Sequence, residues 1–451
     1  MKRLLITGVR SGCGKTTTTC ALLSAFHHRG VPLTAFKCGP DYIDPMFHRA
    51  VSGVPCWNLD PFFIDGNGLR AHLARHGSRD GLSLIEGAMG FYDGVAMSDE
   101  ASAHTVAVET ETPAVLVVDA TGAGHSLAAV IEGFVRHRQP SGIRGVIFNG
   151  ASAASYPDYR KLAEKAGVEA FGFLPRHEDW AIGHRHLGLV TATEISDLTQ
   201  KLAALGEQAE KTLDLDGLLT LAATAPERAA IRSPNPSPSH SVRIAVAKDE
   251  AFCFIYAENI ELLEALGAEI VWFSPLRDDR LPAGVGALYL PGGYPELHVR
   301  ELSANAAMRA SIRDAVRDGL PTIAECGGFL YLHETLDGFA MAGVIEAAAF
   351  RTERLQRFGY VTLTARHDTL LCPEGGTIRA HEFHYWESAA PGSDFIGRKP
   401  GREIEYPCIH ATNTLHAGFP HLYLPANPAF AERFVNCGVQ GNHSPCRGRL
   451  V

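Results

Sequence analysis

Residues 1–28 read MKRLLITGVRSGCGKTTTTCALLSAFHH, and the order of features in this stretch decides the fold of the first part of the chain. The apolar run at residues 4–6 predicts a β-strand, a glycine-rich turn follows it, and residues 18–28 predict a helix. A strand that runs into a glycine-rich turn and then a helix presents backbone N–H groups to phosphate. The stretch therefore predicts a binding site for a nucleoside triphosphate.

The glycine spacing departs from the commonest phosphate loop, G-x-x-x-x-G-K-[ST]. Val9 stands where that pattern has glycine, because five residues rather than four separate Gly8 from Gly14. The chemistry survives this change, since the loop N–H groups can face a phosphate, Lys15 can reach the β and γ oxygens, and Thr16 can offer its hydroxyl to Mg²⁺. A glycine turn without a ligand is the simpler alternative. The expected nucleotide contacts in the loop are Gly12, Gly14, Lys15, Thr16 and Thr17.

Acidic residues follow the next predicted strands. Asp41 comes after the strand at residues 34–36, Glu86 comes after the strand at 82–85 with Asp93 just beyond it, and Asp119 ends the strand at 114–118. Each could be an ordinary turn residue at a strand end. Clustered at one edge of a parallel sheet, they suit a magnesium nucleotide. The hypothesis is that Asp41 and Glu86 hold Mg²⁺ with Thr16, and that Asp93 helps to position the acceptor.

The length and composition indicate two α/β domains. A chain of 451 residues exceeds what one hydrophobic core usually supports. Strand-like runs alternate with amphipathic helical segments in both halves, which predicts mostly parallel sheets flanked by helices. Residues 225–241, APERAAIRSPNPSPSHS, have linker composition. The predicted organisation is an ATP-binding domain at 1–224, a linker at 225–241, a second domain at 242–436 and a tail at 437–451.

Charge and cysteine content narrow the functional classes. A net charge of −9 disfavours a general nucleic-acid binder, and no stretch is long and apolar enough to span a bilayer. The first residues lead straight into a strand and lack the cleavage site of a secretory signal, so a cytoplasmic protein is expected. The ten cysteines are scattered without a C-x-x-C pair, which favours reduced thiols over disulfides or a zinc cage.

One of these cysteines has a setting that favours catalysis. Cys326, in the stretch AECGG at 324–328, follows a short apolar run, and a cysteine on a tight turn between strand and helix is poised as a nucleophile. The alternative is a small buried apolar residue, the usual role of a free cysteine. N–H groups of the glycine turns at Gly293 and Gly327 are the candidates for an oxyanion hole.

At these residues the chain resembles a known family. The stretches FKCGPDYIDPMFH at 36–48, NLD at 58–60, IEGAMGFYDG at 85–94 and RHLGLV at 185–190 look like those of the corrin-ring a,c-diamide synthases, which act on cobyrinate or hydrogenobyrinate in cobalamin biosynthesis. The first domain alone also resembles dethiobiotin synthetase, which has the same loop spacing. The second domain resembles class I glutamine amidotransferases, on the stretches at 251–275 and 288–296 and the Cys326 turn. The resemblance covers nearly all of residues 1–436.

The resemblance implies further site residues. Lys37 occupies the place of a lysine beside the phosphates, and Asn149 resembles the position that contacts adenine, although a turn asparagine at a strand end would look the same. Tyr42, Asp44 and Arg185 fall where the ring substrate would be bound. His421 matches the catalytic histidine. Better-known triads carry glutamate two residues after this histidine, whereas this chain has Tyr423, so the third member is either absent or supplied from elsewhere.

Other histidines leave two alternatives open, one for the catalytic base and one for a metal site. His416 is the second candidate for the base. The stretch RAHEFHY at 379–385 could suggest a metal site, but its spacing is not H-E-x-x-H, and its alternating residues favour a strand near the glutaminase site.

The expected function is an amidation in which ATP activates a ring carboxylate as an acyl phosphate and glutamine supplies ammonia. Cobyrinate, hydrogenobyrinate and nickel sirohydrochlorin are the candidate ring acids, and the resemblance leans toward cobyrinate and implies a homodimer. A P-loop ATPase of the partitioning or metallochaperone type would share the GKTT stretch and Arg10 but would not need Cys326. A regulatory module with decayed sites would not need intact Lys15, Cys326 and His421.

Overall fold

The computed structural model describes residues 1–176, 197–227 and 241–440. The chain divides into two compact units, Met1–Ser233 and Pro234–Val451. Several sequence predictions fall outside the described residues: Arg185, the stretch RHLGLV at 185–190, residues 228–240 of the predicted linker and residues 441–451 of the predicted tail.

The first unit is a parallel sheet with helices. Its strands are β1 (Lys2–Gly8), β2 (Leu33–Cys38), β3 (Cys56–Leu59), β4 (Leu82–Glu86), β5 (Ala114–Asp119), β6 (Ile143–Asn149) and β7 (Glu169–Leu174). Its helices are α1 (Lys15–His28), α2 (Ile43–Ser52), α3 (Gly66–His76), α4 (Ala103–Thr110), α5 (Leu127–His137), α6 (Tyr156–Lys165), α7 (Leu198–Thr212) and α8 (Leu215–Ala223).

The order of the strands positions the phosphate loop. The sheet runs β3-β2-β4-β1-β5-β6-β7 and all of its pairings are parallel. The central strand β1 is buried along its apolar run, with Leu4, Leu5 and Ile6 fully shielded from solvent. Because β4 and β5 flank β1, the segments that follow these three strands leave the same edge of the sheet, where ligands of such sheets bind.

The second unit contains one mostly parallel sheet and two smaller sheets. Its strands are β8 (Val242–Ala247), β9 (Ala268–Phe273), β10 (Ala287–Leu290), β11 (Thr322–Glu325), β12 (His333–Leu336), β13 (Phe339–Ala340), β14 (Ile345–Arg351), β15 (Arg357–Ala365), β16 (Thr377–His384), β17 (Trp386–Ser388), β18 (Phe395–Arg398), β19 (Glu405–Cys408), β20 (His410–Ala411), β21 (Leu415–Gly418) and β22 (His421–Leu422). Its helices are α9 (Ala257–Ala265), α10 (Val299–Ala304), α11 (Ala306–Arg317), α12 (Gly327–Tyr331) and α13 (Pro428–Gln440).

The main sheet of this unit has the order β20-β21-β11-β10-β8-β9, and only the edge pair β20–β21 is antiparallel. An antiparallel sheet of order β19-β18-β15-β16-β22 and a mixed sheet of order β13-β12-β14-β17 complete the unit. The strand β22 carries His421 and pairs with β16, which carries the HEFH stretch. The topology thereby brings a distant part of the sequence next to this histidine.

The predicted fold class, two α/β domains with mostly parallel sheets, is confirmed. Three details differ from the sequence prediction. Strands β3 and β7 are additional, and β3 makes Glu86 the end of the fourth strand. The strands of the two smaller sheets, apart from the one around 379–385, are also additional. Helix α13 continues to Gln440, beyond the predicted start of the tail at residue 437, because Cys437 is buried and Gly438 packs closely on Ala287. Across the described residues, no helix is both long and apolar enough to cross a bilayer.

Candidate active sites

The phosphate loop lies between the end of β1 at Gly8 and the start of α1 at Lys15. Gly12 and Gly14 have φ angles of 74° and 100°, in a region that favours glycine. Gly14 is the N-cap of α1, so the first turn of the helix, with Thr16 and Thr17, directly follows the loop. The unpaired N–H groups of such a turn attract an anion. The local geometry therefore fits the predicted phosphate site.

The Lys15 side chain folds back over this loop. Its Nζ donates a hydrogen bond to the Arg10 carbonyl oxygen at 3.0 Å, and burial lowers the pKa of Lys15. Arg10 in turn forms an ion pair with Asp119 at 3.0 Å. Asp119, the last residue of β5, therefore contacts the phosphate loop through Arg10.

A buried cluster of charged residues lies beside the loop. One oxygen of Glu86 accepts hydrogen bonds from Thr16 Oγ1 at 2.7 Å and Lys37 Nζ at 2.8 Å. The other oxygen lies 2.7 Å from His48 Nε2. Lys37 Nζ also lies 2.5 Å from Asp44 Oδ2. The structure thus brings together four residues predicted from the sequence and adds His48.

The electrostatics of this cluster follow from its burial. Burial acts to lower the pKa of Lys37, but Asp44 and Glu86 more than offset this effect and hold it well above its ordinary value. Burial acts to raise the pKa of Glu86, yet Lys37 and His48 hold it well below its ordinary range. Burial and the nearby carboxylates of Asp41 and Glu86 raise the pKa of Asp44 to about 8. Glu86 is therefore the ionised carboxylate of the cluster.

His48 is a site residue that the sequence reasoning missed. Burial acts to lower its pKa, but its contacts with Cys56 and Glu86 raise it to about 10. A usable signal was present, because Asp44 and His48 are four residues apart and such residues share one face of a helix. Both lie on α2, and both contact members of the same cluster.

Other predicted residues of the first unit make local contacts. Asp41 Oδ1 accepts hydrogen bonds from the N–H groups of Ile43 at 2.8 Å and Asp44 at 3.2 Å, at the start of α2. Asp93 Oδ2 accepts a hydrogen bond from Gly90 N at 2.8 Å. Tyr42 is the residue that precedes α2. Each carboxylate therefore stabilises the backbone of a loop that borders the cluster or the phosphate loop.

Asn149 lies against the phosphate loop itself. Its Nδ2 donates a hydrogen bond to the Cys13 carbonyl oxygen at 3.1 Å. A β-carbon placed on Gly14 would lie 2.3 Å from this nitrogen. In this structure, Asn149 therefore supports the backbone of the phosphate loop, and its contact with adenine remains a prediction.

In the second unit, Cys326 occupies the turn between β11 and α12. Its φ and ψ angles are 45° and −101°, a strained conformation for a residue with a side chain. Its N–H donates a hydrogen bond to the Gly418 carbonyl oxygen at 2.8 Å. Burial, and then the nearby Glu296, raise the pKa of the Cys326 thiol well above its ordinary value. The turn geometry suits a nucleophile, and a buried thiol needs a base to ionise.

Glycine turns connect Cys326 with His421. A β-carbon placed on Gly327 would lie 2.9 Å from Gly293 N, and one placed on Gly292 would lie 2.2 Å from His421 Cε1. The two glycines predicted for an oxyanion hole are therefore close neighbours, and the imidazole packs on the same turn. Burial, reinforced by His384, lowers the pKa of His421 to about 3, so the imidazole is neutral and able to accept a proton.

The other histidines considered from the sequence lie on β21 and β16. His416 lies on β21 opposite Ile323 and packs its ring edge on Phe395. The predicted strand around 379–385 is confirmed as β16, in which His381 pairs with His421. Glu382 on this strand is buried and accepts hydrogen bonds from Lys399 and Tyr406.

Comparison with protein families supports a two-part chain. Residues 4–188 match the model of the CobQ/CobB/MinD/ParA nucleotide binding domain. Residues 243–415 match the model of the CobB/CobQ-like glutamine amidotransferase domain. The first match contains the phosphate loop and Glu86, and the second contains Cys326.

Curated relatives match along nearly the whole chain. A cobyrinate a,c-diamide synthase of Caldanaerobacter subterraneus subsp. tengcongensis is 36% identical over 441 residues, which are 96% of this chain and 97% of the relative. One of Clostridium acetobutylicum is 39% identical over 442 residues, 96% of this chain and 100% of the relative. One of Listeria innocua is 35% identical over 451 residues, 97% of this chain and 100% of the relative.

Among solved structures, PurLQS from Thermotoga maritima matches 45% of this chain and 98% of its own length, with 15% identity and a TM-score of 0.32. Such a low similarity carries no argument about fold or function.

Proposed function

The chain belongs to the cobyrinate a,c-diamide synthase family, and on that premise we propose that it amidates the a and c side-chain carboxylates of cobyrinic acid, using ATP and glutamine. The observation that carries the proposal is that one chain holds both a phosphate loop beside a buried lysine and glutamate cluster and a strained cysteine turn beside a buried neutral histidine. The first arrangement suits carboxylate activation and the second suits release of ammonia.

The first unit would activate the carboxylate. The loop N–H groups, Lys15 and Lys37 are suited to bind the phosphates of ATP and to neutralise the charge on the transferred group. A ring carboxylate oxygen would attack the γ-phosphorus, the bond from this phosphorus to the bridging oxygen would break, and ADP would leave. The product is an acyl phosphate. Tyr42, Asp44 and Arg185 are the proposed contacts to the ring acid.

The donor atoms beside the loop fit Mg²⁺. Thr16 offers a hydroxyl and Glu86 a carboxylate that is held ionised, and Asp41 is the proposed third ligand. The described residues contain no group of three or more histidine, cysteine or acidic side chains that could hold a metal alone. Mg²⁺ is usually held by one or two carboxylates together with substrate phosphates, which suits the donor set of Thr16, Glu86 and Asp41. When bound, the ion would neutralise charge on the β and γ phosphates.

The second unit would release ammonia. His421 would accept the proton of the Cys326 thiol, and the thiolate would attack the side-chain carbonyl carbon of glutamine. The N–H groups of Gly293 and Gly327 would stabilise the oxyanion. The carbon–nitrogen bond would then break, ammonia would leave with a proton returned by His421, and water would hydrolyse the thioester to glutamate.

Ammonia would complete the reaction in the first unit. Its nitrogen would attack the acyl phosphate carbon and expel inorganic phosphate, leaving an amide. Direct amide formation from a carboxylate and ammonia at neutral pH is unfavourable, so activation by ATP supplies the driving force. Two rounds give the diamide.

Mass spectrometry of the products is the first test. The purified protein would be supplied with ATP, Mg²⁺, glutamine and, in turn, cobyrinic acid, hydrogenobyrinic acid or nickel sirohydrochlorin. Each converted carboxyl lowers the mass by about one unit, and only a substrate with the right contacts turns over well. We expect two conversions with cobyrinic acid. Two conversions with another ring acid would correct the substrate, and absence of both amidation and glutamine hydrolysis would favour a P-loop ATPase that is not a ligase.

Substitution Cys326→Ala separates the two half-reactions. We expect glutamine-dependent amidation to fall by about 10³-fold or more, because the nucleophile is lost, while amidation supplied with ammonium chloride stays within about threefold. Cys408→Ala is the matched control, since Cys408 is also buried but lies on β19. Equal loss of both activities in Cys326→Ala would contradict the assignment.

Substitutions at Asp41 test the magnesium site. Asp41→Asn keeps an oxygen that can cap α2 but removes the charge, whereas Asp41→Ala removes both. If Asp41 is a ligand, both variants should raise the Mg²⁺ concentration needed for half-maximal turnover, by about tenfold or more. An unchanged turnover rate and Mg²⁺ requirement in Asp41→Asn would limit this residue to capping the helix.

A further inference from the structure

The position two residues after His421 is Tyr423, so the usual carboxylate partner of the histidine is missing there. A different carboxylate lies close to the histidine. Glu325 Oε2 is 4.0 Å from His421 Nδ1, and Glu325 Oε1 accepts a hydrogen bond from Leu422 N at 3.0 Å. Glu325 directly precedes Cys326 in the chain, so one residue contacts both the nucleophile turn and the strand of the base.

We propose that Glu325 is the positioning residue of the glutaminase site, which fixes His421 and provides the negative charge that the imidazole needs when it takes the proton of Cys326. This inference rests on the proposed glutaminase function of the second unit. It assigns to a residue at the end of β11 the role that better-known triads assign to a residue after the histidine.

The orientation of Glu325 is fixed by neighbours on two other elements. The hydroxyl of Tyr289, on β10, donates a hydrogen bond to Glu325 Oε2 at 2.9 Å. Asn259, on α9, donates to the Leu422 carbonyl oxygen at 2.8 Å and accepts from Leu424 N at 2.8 Å. Glu325, Tyr289 and Asn259 are all at most 2% exposed. The backbone next to His421 is therefore held by hydrogen bonds to buried polar groups. Removing one partner from such a buried network is costly, because the other partner is left unpaired.

Charge explains why a carboxylate is needed at this place. Beside an uncharged partner, burial lowers the pKa of His421 to about 3 and raises that of Glu325 to about 8, so each charge alone is unfavourable. An imidazolium and a carboxylate a few ångströms apart stabilise one another in a buried site. Separations in a free enzyme are often longer than in the reacting complex, so 4.0 Å is compatible with this role. The titratable groups around the pair include Tyr289, His381 and His384, and Glu296 and Glu382 act on Cys326.

The test compares Glu325→Gln with the native protein and with Glu334→Gln, a control in which an exposed glutamate of the same unit changes in the same way. Glutamine retains oxygen and shape but carries no charge. We expect kcat for glutamine hydrolysis to fall by about 100-fold with KM within about threefold, because removing the residue that orients a catalytic histidine acts mainly on turnover. Ammonia-dependent amidation and the control variant should stay within about threefold of native.

The reactivity of Cys326 gives a readout that a purely structural role would not change. Alkylation of Cys326 by iodoacetamide, localised by mass spectrometry of peptides, would be followed from pH 5 to pH 10. Glu325 acts on the thiol in two opposite ways: its charge directly raises the pKa of Cys326, and through His421 it favours the pair of thiolate and imidazolium. We expect the second effect to be the larger, so that the midpoint in Glu325→Gln shifts upward by about one pH unit or more. An unchanged kcat, or an unchanged midpoint, would overturn the proposal.

A second variant covers the case in which Glu325→Gln does not fold. Tyr289→Phe removes only the hydroxyl that orients Glu325 Oε2, and we expect a smaller fall in kcat, about tenfold, with a midpoint shift in the same direction. Unchanged kcat and midpoint in this variant would overturn the proposal. If the native protein does not hydrolyse glutamine, the proposed function and this inference both fail; if it does and Glu325→Gln hydrolyses it equally well, only the inference fails.

Discussion

Lys37 is buried between two carboxylates, so its charge is a requirement of the folded state as well as a candidate contact to phosphate. In Lys37→Met, the ionised Glu86 would keep only His48 of its two cationic partners, and Asp44 would lose the partner of its side chain. Breaking a buried ion pair by removing one partner costs about 3–5 kcal/mol. We expect the free energy of unfolding of the first unit to fall by this amount, as measured by urea unfolding at pH 7.5.

Lys161→Met provides the comparison for this variant. Lys161 pairs with Asp158 at 3.0 Å on the exposed surface of α6, and such pairs contribute only about 0–1 kcal/mol. A native-like stability in Lys37→Met would mean that the two carboxylates share a proton instead of depending on the lysine.

At the residue scale, the sequence predicted the groups that stand at strand ends and missed those that depend on long-range contacts. Glu86 was predictable because parallel strands deliver their last residues to one edge of the sheet, and Thr16 because it follows the glycine-rich loop, whereas Lys37 was implied by the family resemblance. Glu325 also stands at a strand end, but its proposed role depends on a contact with Leu422, which lies 97 positions away in the chain. No local pattern reveals a partner at such a distance.

At the element scale, the shape of the phosphate loop depends on Gly14 more than on Gly12. Gly14 has φ of 100° and its missing β-carbon faces Asn149, whereas Gly12 has φ of 74° and no atom within 4 Å of that place. In Gly12→Ala only the backbone conformation is penalised, by about 1–2 kcal/mol. We expect Gly14→Ala to weaken binding of a non-hydrolysable ATP analogue at least about tenfold more than Gly12→Ala, as measured by calorimetry.

The comparison also tests the packing of Asn149. Equal losses of affinity in the two variants would mean that contact with Asn149 does not hold the loop. The two glycines look alike in the sequence, and only the packing around them distinguishes their expected effects.

A strand could be predicted when its own sequence carried a clear apolar pattern. Strands β1, β2, β4, β5 and β6 were predictable because each is a short buried apolar run followed by a helical pattern. Strand β3, with the sequence CWNL, is too short and too mixed to give such a signal. Apart from β16, whose alternating residues predicted a strand, the strands from β12 to β19 pair mostly antiparallel, and such pairings depend on tertiary contacts that single-sequence patterns do not contain.

At the scale of the whole molecule, both units place their candidate reactive groups at the carboxyl ends of parallel strands. In the first, β1, β2 and β4 deliver the phosphate loop, Lys37 and Glu86. In the second, β10 and β11 deliver the Gly293 turn and Cys326. The carboxyl ends of parallel strands gather reactive groups while the sheet supplies a rigid base. This shared rule is why sequence patterns predicted the phosphate loop, Glu86 and the Cys326 turn, while Lys37 and His421 were implied by the family resemblance.

The two units should differ in their response to acid. Burial lowers the pKa values of five histidines of the second unit, to about 4 in His333 and His384 and to about 3 in His381, His416 and His421. Their unfolded pKa is about 6.5, so below this pH the unfolded state binds more protons and stability falls. Burial raises the pKa values of Glu296 and Glu325 to about 8, which acts in the opposite direction between pH 8 and about 4.5.

The balance predicts that the second unit loses stability first as the pH falls from about 6.5 to 4.5, because five histidines outweigh two carboxyls. Each net proton contributes about 1.4 kcal/mol per pH unit, so the free energy of unfolding of the second unit falls by up to about 4 kcal/mol per pH unit.

In the first unit, the raised pKa of His48, about 10, gives a stabilisation that is complete below pH 6.5 and is lost only as the pH rises toward 10. Hydrogen exchange of the full chain at pH 7.5 and 5.5, with labelling times scaled to the intrinsic rates, should show faster opening at pH 5.5 in peptides from residues 241–440 and not in peptides from residues 1–176. Equal acceleration in both sets, or protection of the second unit at pH 5.5, would contradict the assignment of these histidines as buried and neutral.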